Sequence, residues 1–259
     1  VNSLIELDLT DLVWALGLMA IAIGVSAWQK LGLEFQLAIA TGRTVLQLLV
    51  VGYLLAVIFA LKNPFAVLGV LLVMLTIATI TARNRISKKV PRVIPIVLGA
   101  MFFSTALTLC YTNVLIIQPK TWYEPQYLIP LAGIVLGNAM NGAAIAGERL
   151  VSTINSSRLE IETHLSLGAT PEQSVAAYRK DAVRAGLIPT LNQMMVVGVV
   201  TLPGIITGQL LSGIDPLNAA SYQILIMFML AFTCLITTVF VTQGLTRQFF
   251  NAQAQLQLP

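Results

Sequence analysis

The chain has 259 residues, 57% hydrophobic and only 10% charged, with a mean hydropathy of +0.84. Soluble globular domains carry roughly 25% charged residues, so these figures exclude a soluble fold and point to an all-α, polytopic membrane protein, one domain over residues 1–259. The net charge of +4 does not indicate nucleic acid, because the basic residues are spread over alternate loops; the partner they suit is the lipid bilayer.

A bilayer core of about 30 Å needs roughly 20 apolar residues per helix, since lipid offers backbone groups no hydrogen-bond partner. On that criterion about seven spans are predicted, near residues 10–28, 36–61, 64–81, 94–117, 128–147, 187–211 and 222–245. One set of alternating loops holds Lys30, Arg83, Arg85, Lys88, Lys89, Arg92, Arg149, Arg158, Arg179, Lys180, Arg184 and Arg247; the other holds only Lys62 and Lys120. This bias places the N-terminus outside and the C-terminus in the cytoplasm. Glu6, Asp8 and Asp11 fit the outer face. No basic region or small-residue cleavage site precedes the first span, so a cleaved signal peptide is not expected.

The first span reads as a lipid-facing packing helix. In the second, Arg43 and Gln47 lie one turn apart, about 10 Å from the cytoplasmic end, where an arginine either snorkels to the interface or lines a cavity. The third ends in a basic loop, Arg83 to Lys89, suited to anionic headgroups. After the fourth, Trp122, Tyr123 and Tyr127 form an interfacial aromatic belt. Cys110 and Cys234 fall within spans and read as packing residues.

The fifth span is rich in Gly and Ala, and Gly133 and Gly137 form a GxxxG pair. Small residues let backbones approach, so this helix belongs at the centre of the bundle. Asn138 and Asn141 share one of its faces. In the sixth span Pro203 and Gly204 predict a kink or break, either a packing feature or the lining of a cavity. The last span, rich in Met, Phe and Thr, carries no clear signal.

Between the fifth and sixth spans lies a polar island, 148–184, with 10 of the chain's 26 Lys, Arg, Asp and Glu residues and its only histidine. Ser157-Arg-Leu-Glu160 reads as a capping box starting a helix near Arg158, with Gly168 ending it. Thr170 then caps a second helix with Pro171 at its first position. Two short helices meeting at Gly168-Ala169 would project a compact elbow into the cytoplasm.

The pattern Glu162-x-x-x-x-x-Gly168-Ala169 between helices resembles the EAA coupling loop of ABC-transporter permeases, with Thr163 and His164 where that motif has two alanines. The run from Ile188 to Gly213, IPTLNQMMVVGVVTLPGIITGQLLSG, together with Leu136-Gly-Asn-Ala-Met-Asn-Gly142, is similar to the FetB/YbbM (UPF0014) family of bacterial ABC permeases, which includes plant permeases of the aluminium-tolerance class. The resemblance extends over essentially the whole chain. It implies a multi-pass permease of the bacterial inner membrane, paired as two copies with two separate ATPase subunits that hold ATP and Mg. Iron export is proposed for bacterial members and a nucleotide-sugar substrate for a plant one. It also implies that Glu160, Glu162, His164, Leu167, Gly168, Ala169, Thr170 and Pro171 form the ATPase-coupling segment. In agreement, no GxxxxGK[ST] phosphate loop occurs in the chain, and no nucleophile with a base suggests an enzyme. His164, without a second His or Cys nearby, reads as an interface or solvent residue rather than a metal ligand.

Arg43, Asn141 and Asn192 fall at similar predicted depths, with Gln47, Asn138 and Gln193 close by, as a cytoplasm-facing vestibule would require. Glu148 would neutralise Arg43, and Met194 and Met195 are either flexible packing or soft ligands. With so little anionic character, the layer suits a chelated or anionic cargo better than bare iron. An organic cargo, or an ATP-independent carrier, is the alternative.

Overall fold

The computed structural model describes residues 8–61, 63–87, 90–251 and 253–257. Glu6, Lys62, Lys88 and Lys89 lie outside them. Ten α-helices follow one another among the described residues, with no β-strand. They are α1 Leu9–Trp28, α2 Glu34–Leu61, α3 Pro64–Ile86, α4 Val93–Tyr111, α5 Pro125–Ser156, α6 Arg158–Ser166, α7 Pro171–Ser174, α8 Ala176–Val196, α9 Gly204–Leu211 and α10 Pro216–Thr246. Six of the elements, α1 to α5 and α10, are long and apolar enough to cross a membrane.

The seventh expected span, 187–211, is divided. Its first half belongs to α8, which begins in the polar island at Ala176 and stops at Val196; α9 resumes at Gly204. The sequence reading centred the break on Pro203, but the chain leaves the helix seven residues earlier. Gly198 has φ +81°, a left-handed backbone that a helix cannot contain. The amide of Gly198 bonds forward to the Thr201 carbonyl and that of Val199 bonds Val196, three residues back, in place of the four-residue α-helical bonds.

The chain divides into two compact units, residues 1–63 with 211–213, and 64–210 with 214–259. In the first, α1 packs on α2, and the Ser26 hydroxyl donates to Glu34 Oε1 at 3.0 Å. Most large apolar side chains here are exposed, among them Trp14, Phe35 and Leu46, as suits a surface whose solvent is lipid.

In the second unit α5 and α10 are central. α5 packs on α3, α4, α8 and α10, and α10 also packs on α4 and α8. The small residues of α5 act as expected, but the tightest approach is not at the GxxxG pair. A Cβ on Gly137 would meet nothing within 4 Å, whereas one on Gly186 of α8 would lie 2.7 Å from the Gly142 carbonyl oxygen. Backbones therefore cross at Gly142 and Gly186. Helix α10 buries a stripe of Thr233, Thr237, Thr238, Thr242 and Thr246. Ser104 and Thr108 of α4, one turn apart, pair with Thr237 and Thr233 at 2.6 Å each, hydroxyl pairs of the kind that hold helices together where lipid offers no polar partner. That stripe, at helical spacing in the sequence, was the signal missed in the last span.

The core does not stop at the apolar layer. Leu150, Val151 and Ile154 of α5, Ile161 of α6, Val175 and Phe249 belong to one cluster of buried side chains. The C-terminal tail folds back beside it, with the Gln257 amide bonding the Phe249 carbonyl at 2.8 Å.

Candidate functional site

At 32 residues, α5 is longer than the roughly 20 a bilayer requires, and its last turns carry the exposed Glu148 and Arg149. Helix α6 follows with Ser157 alone between the two. Ser157 does not cap α6 through its side chain: its backbone, at φ −104° and ψ 25°, lacks the extended conformation that aims an N-cap oxygen at the first turn. Its amide bonds the Thr153 carbonyl and its carbonyl accepts from Ile161, so the chain passes almost without interruption from α5 into α6.

The end of α6 is built as the sequence requires. The amide of Gly168 bonds the Leu165 carbonyl at 3.0 Å and that of Ala169 bonds His164 at 3.0 Å, the paired bonds of a Schellman ending. Gly168 sits at φ +92°. Two residues on, the Thr170 hydroxyl accepts from the Gln173 amide at 3.3 Å, and the Gln173 carboxamide accepts from the Thr170 amide at 2.9 Å. This reciprocal box starts α7 with Pro171 at its first position. One terminator and one initiator stand back to back, and the elbow between them is fixed by its own hydrogen bonds.

The two faces of α6 differ. Ile161 is fully buried and Leu165 packs against the core. On the opposite side Leu159 is 79% and Leu167 81% exposed, eight residues and so about two turns apart. The same outer side carries exposed Thr163 and Ser166, and an ion pair, Arg158 Nε to Glu162 Oε1 at 2.8 Å, flanks it. His164, Glu160 and Glu172 are exposed. Behind them the Tyr178 hydroxyl is buried without a hydrogen bond of good geometry; burial, followed by the influence of Glu160, holds its pKa above the usual tyrosine value, with Ser157 opposing.

The polar residues of the spans are distributed less uniformly. In the first unit Arg43 and Gln47 are exposed and line a shallow depression on one face of α2 with Phe35, Gln36 and Ile39. In the second unit Asn138 is a brace: its Nδ2 donates to the Leu230 carbonyl at 3.1 Å and its Oδ1 accepts from the Thr190 hydroxyl at 3.1 Å. Asn141 accepts from Arg85 Nη1 at 3.3 Å, so an arginine assigned from sequence to a headgroup loop reaches α5. Asn192 is exposed and Gln193 half-buried. Met195 is 72% exposed, whereas Met194 turns to a cavity of about 380 Å³ at the break, beside Pro203, Gln223 and Met227. Gln223 and Met227 of α10 were not anticipated.

The profile of the Uncharacterised protein family (UPF0014) matches residues 9–250. The UPF0014 membrane protein slr1647 of Synechocystis is 56% identical over 98% of both chains. The protein named Probable iron export permease protein FetB, of Escherichia coli, is 36% identical, covering 95% of this chain and 93% of its own. Protein ALUMINUM SENSITIVE 3 of Arabidopsis thaliana is 32% identical over 94% of this chain and 88% of its own. No solved structure matches the chain.

Proposed function

The chain belongs to the UPF0014 family, and on that premise we propose that it is the membrane permease subunit of an ATP-driven exporter, driven by a separate ATPase that docks on the elbow. The observation that carries this reading is the exposed pair Leu159 and Leu167, on and just past α6, opposite a side that buries Ile161 and rests Leu165 on the core. Large apolar side chains held rigidly in a polar segment suit the desolvated centre of a protein interface, and the Arg158–Glu162 pair and His164 supply a polar rim. The complex has two permease copies and two ATPases, with ATP and Mg on the latter. The elbow and the C-terminus face the cytoplasm, the N-terminus lies outside, and the membrane is the bacterial inner membrane.

The cargo is iron, by similarity to the Escherichia coli relative. Among the described residues no three His, Cys, Asp or Glu side chains gather to hold a metal, which favours an iron complex over a naked ion; an organic cargo shares that support.

The test uses the full chain in nanodiscs with its ATPase. The ATPase should copurify with the wild type and be lost from a Leu159→Asp/Leu167→Asp variant of equal abundance and unfolding midpoint. Retention by that variant removes the elbow as the contact. Labelling of a cysteine at Ala169 from outside the cell would reverse the topology. Stimulation of ATP hydrolysis by iron citrate, but not by free Fe²⁺, supports the complexed cargo.

A further inference from the structure

The break between α8 and α9 opens a cavity that the coupling reading does not use. It has about 380 Å³ and is lined by Met194, Pro203, Ile206, Gln223, Met227 and Phe228, among others. None of its lining residues is charged. Gln223 is 5% exposed, and neither its Oε1 nor its Nε2 has a hydrogen-bond partner. Buried polar groups are almost always paired, and a carboxamide has one acceptor oxygen and two N–H donors to satisfy. An unpaired Gln223 beside an empty apolar space is therefore half of an interaction.

We propose that this cavity binds a neutral, mostly apolar molecule bearing one hydrogen-bonding group, which Gln223 receives. The volume lies at the small end of ligand sites, roughly 300–1,000 Å³, and suits two or three fused rings. A bare cation or an anion would enter without a countercharge in a low-dielectric setting, which is costly. An acyl chain would fill the space yet leave the carboxamide unpaired. The cavity lies at the helix break: Gly198, at φ +81°, and Pro203 both line it. The site is independent of the ATPase, since binding is a property of the permease alone.

The experiment uses the full chain in nanodiscs, the photolabel 1-azidoanthracene, and 1-aminoanthracene as a neutral competitor with an N–H donor. Adducts should map to residues 194–206 and 220–228 and be suppressed by the competitor. In Gln223→Leu the competitor should weaken about fivefold or more, the loss of a hydrogen bond, while anthracene, which has no polar group, competes equally in both proteins. Ala220→Trp should abolish protected labelling by filling the cavity. Unprotected adducts spread over all lipid-facing helices would mean a lipid groove and overturn the proposal. So would undiminished competition in Gln223→Leu, or equal competition by anthracene-1-sulfonate.

Discussion

Thr190 of α8 donates its hydroxyl to the Asn138 carboxamide of α5 at 3.1 Å, and the same carboxamide reaches the Leu230 carbonyl of α10. One side chain thus ties three helices at the level where a cargo-lining residue was expected. Its removal should affect the bundle before it affects transport. Asn138→Leu is expected to lower stability by about 1–2 kcal/mol, read as the unfolding midpoint in mixed micelles, with ATPase copurification retained. Unchanged stability together with lost transport would return Asn138 to the cargo route.

The crossing of α5 and α8 at Gly142 and Gly186 sets a second expectation. A methyl on Gly186 would press on the Gly142 carbonyl oxygen and the Ala146 Cβ, both fixed by backbone, and on the Thr238 side chain. Gly186→Ala should cost about 1–3 kcal/mol, the range for overpacked cores. Gly137→Ala, facing open space inside α5, should be neutral or stabilising by up to about 1 kcal/mol, the helix preference for Ala over Gly. Thermal unfolding of the pair in one detergent distinguishes the two positions.

At the elbow, Thr170→Ala removes one half of a reciprocal box. The expected loss is about 1 kcal/mol, local to α7, so hydrogen exchange at Gln173 should accelerate while the core amides of α10 stay protected. Uniform acceleration would mean that the elbow unfolds only with the whole bundle.

Tyr178 gives a pH signature. Because burial raises its folded pKa above 10.0, the folded protein keeps a proton that the unfolded chain releases, and the stability it contributes is present below the unfolded pKa and lost as pH rises through the folded one. Tyr178→Phe should therefore lose less stability than the wild type above pH 10. Identical alkaline unfolding curves would rule out this role.

The elbow was legible because its signals are local. Gly168 and the Thr170–Gln173 box act within a few residues, and backbone geometry follows from them directly. Ser157 misled because a capping pattern needs an extended residue, and nothing in Ser-Arg-Leu-Glu says that α5 will run into α6 with a single residue between them, and that one not extended. Pro203 announced a break but not its width, which depends on Gly198 adopting a left-handed backbone. The brace at Asn138 and the crossing at Gly142 and Gly186 depend on which helices become neighbours. The GxxxG pair names a kind of surface, not its partner. Phe249, buried beneath the elbow from the far end of the chain, had no local signal at all.

Helix α8 begins two residues after Pro171-Glu-Gln-Ser174 closes and runs 21 residues, about 32 Å, to the last helical residue before the gap. Gly186 and Pro189, the latter unable to donate to the carbonyl one turn back, soften the middle of that rod. A displacement at the Ala176 end of α8 would therefore be carried to Val196, and the seven-residue gap that follows is where the chain can bend.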